Sequence, residues 1–296
     1  MPPTPSDVVI CTTIDEMHNQ VAFARSSGHT IGCVPTMGYL HEGHASLIQT
    51  AAQHHGLVVV SIFVNPTQFG PSEDFERYPR DLERDLAVLR QAGATHLFLP
   101  SVTEMYPDGV RSTIHIDGIT DILEGASRPT HFDGVATVVA RLFQAMLPDE
   151  AYFGQKDLQQ TLVIQRLVQT HTDAAVSNTR ITILPTIREH DGLAKSSRNV
   201  YLNEEDRRNA TVIYQALTYA QNSIVRGERS RSVIEQQMLH ILTSVDALRV
   251  DYAVAVDAST LRGATDLISE RTALCIAVKL GTTRLIDNML VELPTA

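Results

Sequence analysis

Apolar residues along the first two thirds of the chain alternate between helically spaced positions and short continuous runs. Ile14, Met17, Val21 and Ala24 recur at three- and four-residue intervals, which predicts a helix over Asp15–Ser27 stopped by Gly28. Ile31–Pro35 reads as a short apolar strand, and His44–His55 as a helix with Leu47, Ile48 and Ala51 on one face. Leu57–Val64 is an eight-residue run broken only by Ser61 and bounded by Gly56 and Asn65-Pro66. Such a run fits a strand covered on both faces of a parallel sheet. A helix over Pro79–Ala92, a strand at His96–Leu99, a helix over Asp133–Met146, a strand at Ala151–Phe153 and a helix over Asp157–His171 continue the series. This alternation predicts an α/β fold with an open parallel sheet and helices on both faces.

The texture changes near residue 187. Two helical segments, Glu204–Val225 and Ser232–Val245, flank the polar turn RGERS, and three β-rich runs follow at Val250–Val256, Thr272–Leu280 and Arg284–Val291. Helices followed by strands with short turns predict a smaller α+β domain with an antiparallel sheet. The boundary is placed within Pro185–Gly192, dividing residues 1–186 from 187–296.

Composition narrows the class of protein. Hydrophobic residues make up 43% and charged residues 20%, ordinary for a globular chain. Lys plus Arg is 24 against 34 Asp plus Glu, a net charge of −10. That balance argues against a general nucleic-acid or anionic-membrane binder while permitting a local basic pocket. The longest apolar run is far short of the about 20 residues a membrane span needs. The N-terminus MPPTPSDVVI lacks a basic segment and a long apolar core, so no secretory leader is expected. Cys11, Cys33 and Cys275 are isolated in apolar surroundings, which suits a reducing cytoplasm and makes neither a disulfide framework nor a zinc site.

Four clusters can carry chemistry. In Val34-Pro-Thr-Met-Gly-Tyr-Leu-His-Glu-Gly-His44 a β-to-α turn brings His41 and His44 to the first helical turn, where free N–H groups and the positive dipole end attract phosphate. A zinc pair and two surface histidines capping a helix are the alternatives; the spacing HEGH is not the HExxH of metalloproteases. Leu193-Ala-Lys-Ser-Ser-Arg-Asn199 gathers one Lys, two hydroxyls and one Arg, a compact anion-binding loop or a solvated basic turn. Phe153-Gly-Gln-Lys-Asp-Leu-Gln-Gln160 occupies another strand-to-helix junction, with Gly154, Lys156, Asp157 and Gln160 as the useful groups. Asn65 and Gln68 leave the end of the buried strand as neutral polar groups suited to hydroxyls or carboxylates. Neither a P-loop nor a Gly-x-Gly-x-x-Gly motif is present.

MGYLHEGH, NPTQF, EDFERYPRDLERDL, SRPTHFDGVATVV, FGQKDLQQ and REHDGLAKSSRNVYL follow the order and spacing of the pantothenate synthetase (pantoate–β-alanine ligase) family, which the chain resembles over nearly its whole length. The His-x-Gly-His and Lys-Ser-Ser elements also resemble the signatures of the wider class I nucleotidyltransferases. The resemblance implies a Rossmann-like N-terminal domain, a smaller C-terminal domain closing over ATP, and a homodimer. It implies ATP contacts from Met37, Gly38, Tyr39, Leu40, His41, Glu42, Gly43 and His44, with His44 as proton donor. Further ATP contacts fall on Gly154, Gln155, Lys156 and Asp157, on Ile187, and on Lys195, Ser196, Ser197 and Arg198. Gln68, Gln160 and Asn65 are assigned to pantoate, and Gln68 also to β-alanine. Gln155 and Lys195 depart from the commonest family pattern, Lys195 by adding a charge.

The implied reaction has two steps. Pantoate carboxylate attacks the α-phosphorus of Mg-ATP, releasing pyrophosphate, and the amine of β-alanine then displaces AMP from pantoyl adenylate. His41, His44 and Lys156 are the catalytic set: the histidines contact the ATP phosphates at the helix N-terminus, Lys156 with Lys195 and Arg198 offsets charge on the leaving pyrophosphate, and Mg²⁺ is held mainly by phosphate oxygens and water. A nucleotidyltransferase such as a cytidylyltransferase, a tRNA synthetase fragment and a non-catalytic nucleotide sensor are the other readings. The acidic chain, without an RNA-binding appendage, disfavours the second of these.

Overall fold

The computed structural model describes residues 7–70, 73–263 and 265–293. Most of the N-terminal run used for the leader expectation, MPPTPS, lies outside the described residues. The chain divides into two units. The first runs to Gly154 and resumes over Gln160–Pro185; the second takes Gln155–Gln159 and the chain from Thr186 onward.

The first unit is built on six parallel strands: β1 (Val9–Cys11), β2 (Ile31–Thr36), β3 (Leu57–Ile62), β4 (His96–Phe98), β5 (Glu150–Gly154) and β6 (Arg180–Leu184). Their spatial order is β1-β4-β3-β2-β5-β6. The chain therefore builds outward from β2 through β3 to β4, then returns to lay β5 on the other side of β2. Ligands of open α/β sheets bind at such a reversal, beyond the C-terminal strand ends. β2 and β5 pair at Gly32↔Glu150 and Cys33↔Ala151, near their N-terminal ends.

β3 carries the apolar run expected of a doubly covered strand, and Leu57 through Ser61 are all buried. Val34, Val58, Val60 and Leu97 pack with Leu47, Ile48 and Ala51 of helix Glu42–His54 and with Leu89 and Ala92 of helix Leu82–Ala92. Each large side chain among these, fully buried, contributes about 1.5–3 kcal/mol relative to exposure. Helix His131–Met146 packs against β2 and against helix Ile14–Ser26. The helix expected from Pro79 starts instead at Leu82, because the Asp81 side chain caps the backbone N–H of Arg84.

β1 and β6 are edge strands outside the sequence expectation. Val9 and Ile10 are exposed and β6 is half-buried, as edge strands allow, although VVIC and ITIL are apolar in sequence. Both runs are short, three and five residues as strands, and short apolar runs do not by themselves distinguish strand from other structure.

The second unit carries β7 (Leu248–Asp257), β8 (Arg271–Leu280) and β9 (Thr283–Glu292), an antiparallel sheet in the order β7-β8-β9. Gly281 takes a left-handed φ of 57° in the turn between β8 and β9. The expected helix Glu204–Val225 is two segments, Glu204–Asn209 and Val212–Val225. At the break the Thr211 hydroxyl donates to the Arg208 carbonyl at 2.8 Å, taking a helical acceptor for a side chain. Ile213, Leu217 and Ile224 pack with Ile234 and Met238 of helix Arg231–Leu242 and with Leu274, Ile276 and Val278 of β8.

Candidate functional site

The turn after β2 is shaped by side chains bonded to backbone. The Thr36 hydroxyl donates to Ser61 O at 2.7 Å and accepts from Gly38 N at 3.1 Å. Gly38 and Tyr39 are both left-handed, with φ of 86° and 52°, a conformation a tyrosine adopts only when its surroundings impose it. The constraint comes from Asp85, 1% exposed, whose two carboxylate oxygens accept from Tyr39 N at 2.9 Å and Leu40 N at 2.6 Å. Burial pushes the Asp85 carboxyl up, and those two backbone N–H groups work against that shift. Arg84 lies over the Tyr39 ring at 4.2 Å.

The turn delivers His41 to the N-cap of helix Glu42–His54, which therefore begins ahead of the start expected at His44. His41 Nδ1 accepts from Gly43 N at 3.1 Å, and His44 Nδ1 accepts from His41 N at 3.3 Å. With both Nδ1 atoms acting as acceptors, the ring proton of each neutral imidazole sits on Nε2. The rings lie 4.1 Å apart between centroids. Met37, Gly38, Tyr39, Leu40, His41, Glu42, Gly43 and His44 are thus one continuous turn and helix start.

After β3, Asn65 is fully buried and caps the short turn Pro66–Gln68. Its carboxamide accepts from Tyr106 Oη at 2.7 Å and donates to Gly134 O at 3.2 Å, which makes it a brace for the turn. The Gln68 carbonyl accepts from Arg128 at 3.2 Å and lies 2.8 Å from His131 Nδ1, and Arg128 grips Glu73 at 2.6 and 2.7 Å. Gln68 is thereby fixed through its backbone. Gly154 closes β5, and Gln160 is half-buried in helix Leu158–Thr170.

In the second unit, Gln155, Lys156 and Asp157 form one turn of 3₁₀ helix, with Lys156 Nζ 3.4 Å from Asp157 Oδ1. Ile187 and Lys195 close a small hairpin: Lys195 N donates to Ile187 O at 3.0 Å, and Glu189 N to Leu193 O at 2.8 Å. The Lys195 ammonium pairs with Glu189 at 3.1 Å, so its extra charge is partly balanced within the hairpin. Ser196 then caps the turn Ser197–Tyr201 by accepting from Arg198 N at 3.3 Å. Lys195, Ser196, Ser197 and Arg198 therefore stand at the start of a tight turn rich in N–H and hydroxyl donors. Asp85, Arg188, Asp287 and Asn288 lie outside the sequence expectation, yet Arg188 bonds to Gly192 O in the hairpin, to both carboxylate oxygens of Asp287 and to Asn288 O. Asp287-Asn288 interrupts the otherwise apolar run Leu285–Val291, which is the sequence signal for them.

The opposite end of the parallel sheet holds a different cluster. A cavity of about 460 Å³ is lined by Thr30, His54, His55, Asp149, Glu150 and Arg180. There Glu150 accepts from Arg180 and Thr182, while His55 Nε2 lies 2.9 Å from Tyr152 Oη and 3.2 Å from Glu150. Burial alone would raise the Glu150 carboxyl, but the hydrogen bonds from Arg180, Thr182 and Tyr152 outweigh it and bring it to about 2. Among the described residues no three His, Cys, Asp or Glu side chains gather as a cation site, and no helix is long and apolar enough to cross a membrane.

A reversed parallel sheet with a histidine-capped helix beyond a central strand, and a smaller unit with an antiparallel sheet, define a Rossmann-like α/β protein. The family model described as Pantoate-beta-alanine ligase matches residues 9–290. The pantothenate synthetase of Moorella thermoacetica is 51% identical over 95% of this chain and 97% of its own. That of Herpetosiphon aurantiacus is 49% identical over 95% and 99%. The crystal structure of pantothenate synthetase from Thermus thermophilus superposes with a TM-score of 0.86 at 43% identity, covering 95% of this chain and 99% of that one. The Francisella tularensis pantoate-β-alanine ligase, complexed with beta-gamma ATP and β-alanine, gives 0.75 at 35% identity over 96% and 97%. The chain belongs to the pantoate–β-alanine ligase family.

Proposed function

We propose that the chain condenses pantoate with β-alanine at the expense of ATP, through a bound pantoyl adenylate, giving pantothenate, AMP and pyrophosphate. The observation that carries this reading is the histidine pair on the N-terminus of helix Glu42–His54, beyond β2 at the reversal of the sheet. The Francisella relative, complexed with beta-gamma ATP and β-alanine, supports ATP and β-alanine as two of the substrates.

In the first step a pantoate carboxylate oxygen bonds to the α-phosphorus as the bond from that phosphorus to the bridging oxygen breaks. The protein supplies no covalent nucleophile; it aligns the groups and offsets charge. His41 and His44 would donate from Nε2 to phosphate oxygens, next to the positive end of the helix dipole. Lys156, Lys195, Ser196, Ser197 and Arg198 would take up charge on the departing pyrophosphate, and Ile187 would lie against the nucleotide base. Mg²⁺ would enter on the triphosphate oxygens and screen them; imidazole, ammonium and guanidinium suit the anionic side of that complex. Gln68 and Gln160 would orient pantoate, with Asn65 bracing the turn, and Gln68 would also meet β-alanine. In the second step the amine attacks the acyl carbon, the bond from that carbon to the phosphate oxygen breaks, and the nitrogen gives up a proton as AMP leaves. Excluding water protects the mixed anhydride until then.

The larger unit would thus bind nucleotide and pantoate, and the smaller one would supply Lys156 and Lys195–Arg198 to the phosphates. The three cysteines are buried and unbridged, in keeping with a cytoplasmic enzyme, and the family resemblance adds a homodimer. Rapid mixing of enzyme, ATP and pantoate should release stoichiometric pyrophosphate before β-alanine is added, and β-alanine should then release AMP. Pyrophosphate release that requires β-alanine would rule out the stepwise reaction.

A further inference from the structure

We infer that the adjacent residues Asp287 and Asn288 on β9 are positioning residues. Together they tie the Lys156 turn to the hairpin that presents Lys195–Arg198, so that the second unit offers its cationic groups as one body. This inference rests on the phosphate role given above to Lys156 and to Lys195–Arg198.

Asn288 holds the first element. Its Nδ2 donates to Gln155 O at 3.0 Å and to Lys156 O at 2.8 Å, while its Oδ1 accepts from Gln155 Nε2 at 3.4 Å. Both amide hydrogens are spent on the two backbone carbonyls that set the direction of the 3₁₀ turn. Asn288 therefore acts on Lys156 rather than on a ligand. Three residues of 3₁₀ helix have little hydrogen bonding of their own, and a carboxamide clamp supplies what the turn lacks.

Asp287 holds the second element. It is 4% exposed and takes the Arg188 guanidinium by both oxygens, at 2.5 and 3.0 Å. The same guanidinium donates to Gly192 O at 3.0 Å and to Asn288 O at 3.2 Å, and it lies over the Tyr214 ring at 4.8 Å. Arg188 thus spans the hairpin from its base to Gly192, where φ is 91° and an added Cβ would sit 1.9 Å from Tyr214. Burial raises the Asp287 carboxyl while Arg188 opposes that rise. A buried pair of this kind is a poor source of stability, and what it adds is fixed geometry. The Asn288 N–H donates to Asp287 Oδ1 at 2.8 Å, which joins the two clamps through a single dipeptide. The tether reaches Lys156 across 132 positions of sequence and Arg188 across 99.

The test is a double-mutant cycle read by single-turnover pyrophosphate release from saturating ATP and pantoate. Asn288→Ala should slow release about tenfold in the otherwise native enzyme, as expected for losing side-chain hydrogen bonds of ordinary strength. In the Lys156→Ala enzyme, already slowed, it should cause no further loss, and the KM for β-alanine should not change. If Asn288→Ala slows both backgrounds by the same factor, or neither, the tether does not act through Lys156 and the inference is overturned. A full-rate Lys156→Ala enzyme would instead remove the phosphate assignment itself, and the tether with it. Should Asn288→Ala not fold, Asn288→Ser, too short to reach the carbonyls, carries the same cycle to the same two results.

Discussion

The two ends of the parallel sheet use polar side chains in opposite ways. At the N-terminal end, His55, Glu150, Tyr152, Arg180 and Thr182 bond mainly to one another, side chain to side chain. At the C-terminal end, Thr36, Asp85, His41 and His44 bond to backbone N–H groups. The first arrangement spends charge on itself and fastens strands together. The second shapes a turn and sets two imidazole rings at a helix N-terminus, where an anion is favoured. Both ends are rich in histidine, so residue type does not tell them apart; the bonding partner does.

The comparison can be broken at either end. His44→Ala should cause the largest change, lowering the rate of pyrophosphate release about 100–1000-fold, the usual cost of one preorganised donor. Its thermal midpoint should stay near that of the native enzyme. A large loss of stability with a modest loss of rate would place His44 in the same category as His55.

Glu150→Gln should do the reverse. It should leave the rate near native and cost about 1–3 kcal/mol, the range for disturbing hydrogen bonds to a charged group, measured by denaturant unfolding. The acid limb sharpens the contrast. Because the folded-state Glu150 carboxyl lies below its ordinary value of 4.5, near 2, it stabilises the fold at pH above 4.5 and loses that contribution as pH falls from there toward 2. Glu150→Gln should flatten that part of the stability–pH curve, and an unchanged slope would mean that the cluster is not the acid-sensitive element.

Much of the first unit was legible because its elements have local signatures. The run Leu57–Val64 has the length and apolar character of a buried strand, and the periodic positions of Ile14–Ala24 mark one face of a helix. β1 and β6 lie outside the expectation because VVIC and ITIL, though apolar, are too short to be told from other structure by pattern alone. Helix starts at Leu82 and Glu42 shifted because side-chain caps, rather than the apolar pattern, set them. The histidine pair and Lys-Ser-Ser-Arg stand out in the sequence as candidates for chemistry. The groups that hold them were not. Asp85 lies in RDLERDL, where it reads as one more charge on a solvated helix face, yet it is buried against a turn 45 residues earlier. Likewise, Gln155–Gln159 clusters with the second unit. A linear boundary has no place for that segment, because it is Asn288, far along the chain, that bonds to Gln155 and Lys156.

The central claim, that the C-terminal end of the sheet activates pantoate by adenylation, is tested most directly with pantoate carrying ¹⁸O in its carboxylate. Attack of that carboxylate on the α-phosphorus leaves one of its oxygens on phosphorus when β-alanine displaces AMP. Mass spectrometry of the AMP should therefore show one ¹⁸O per molecule formed. AMP free of label, formed in step with pantothenate, would contradict the account.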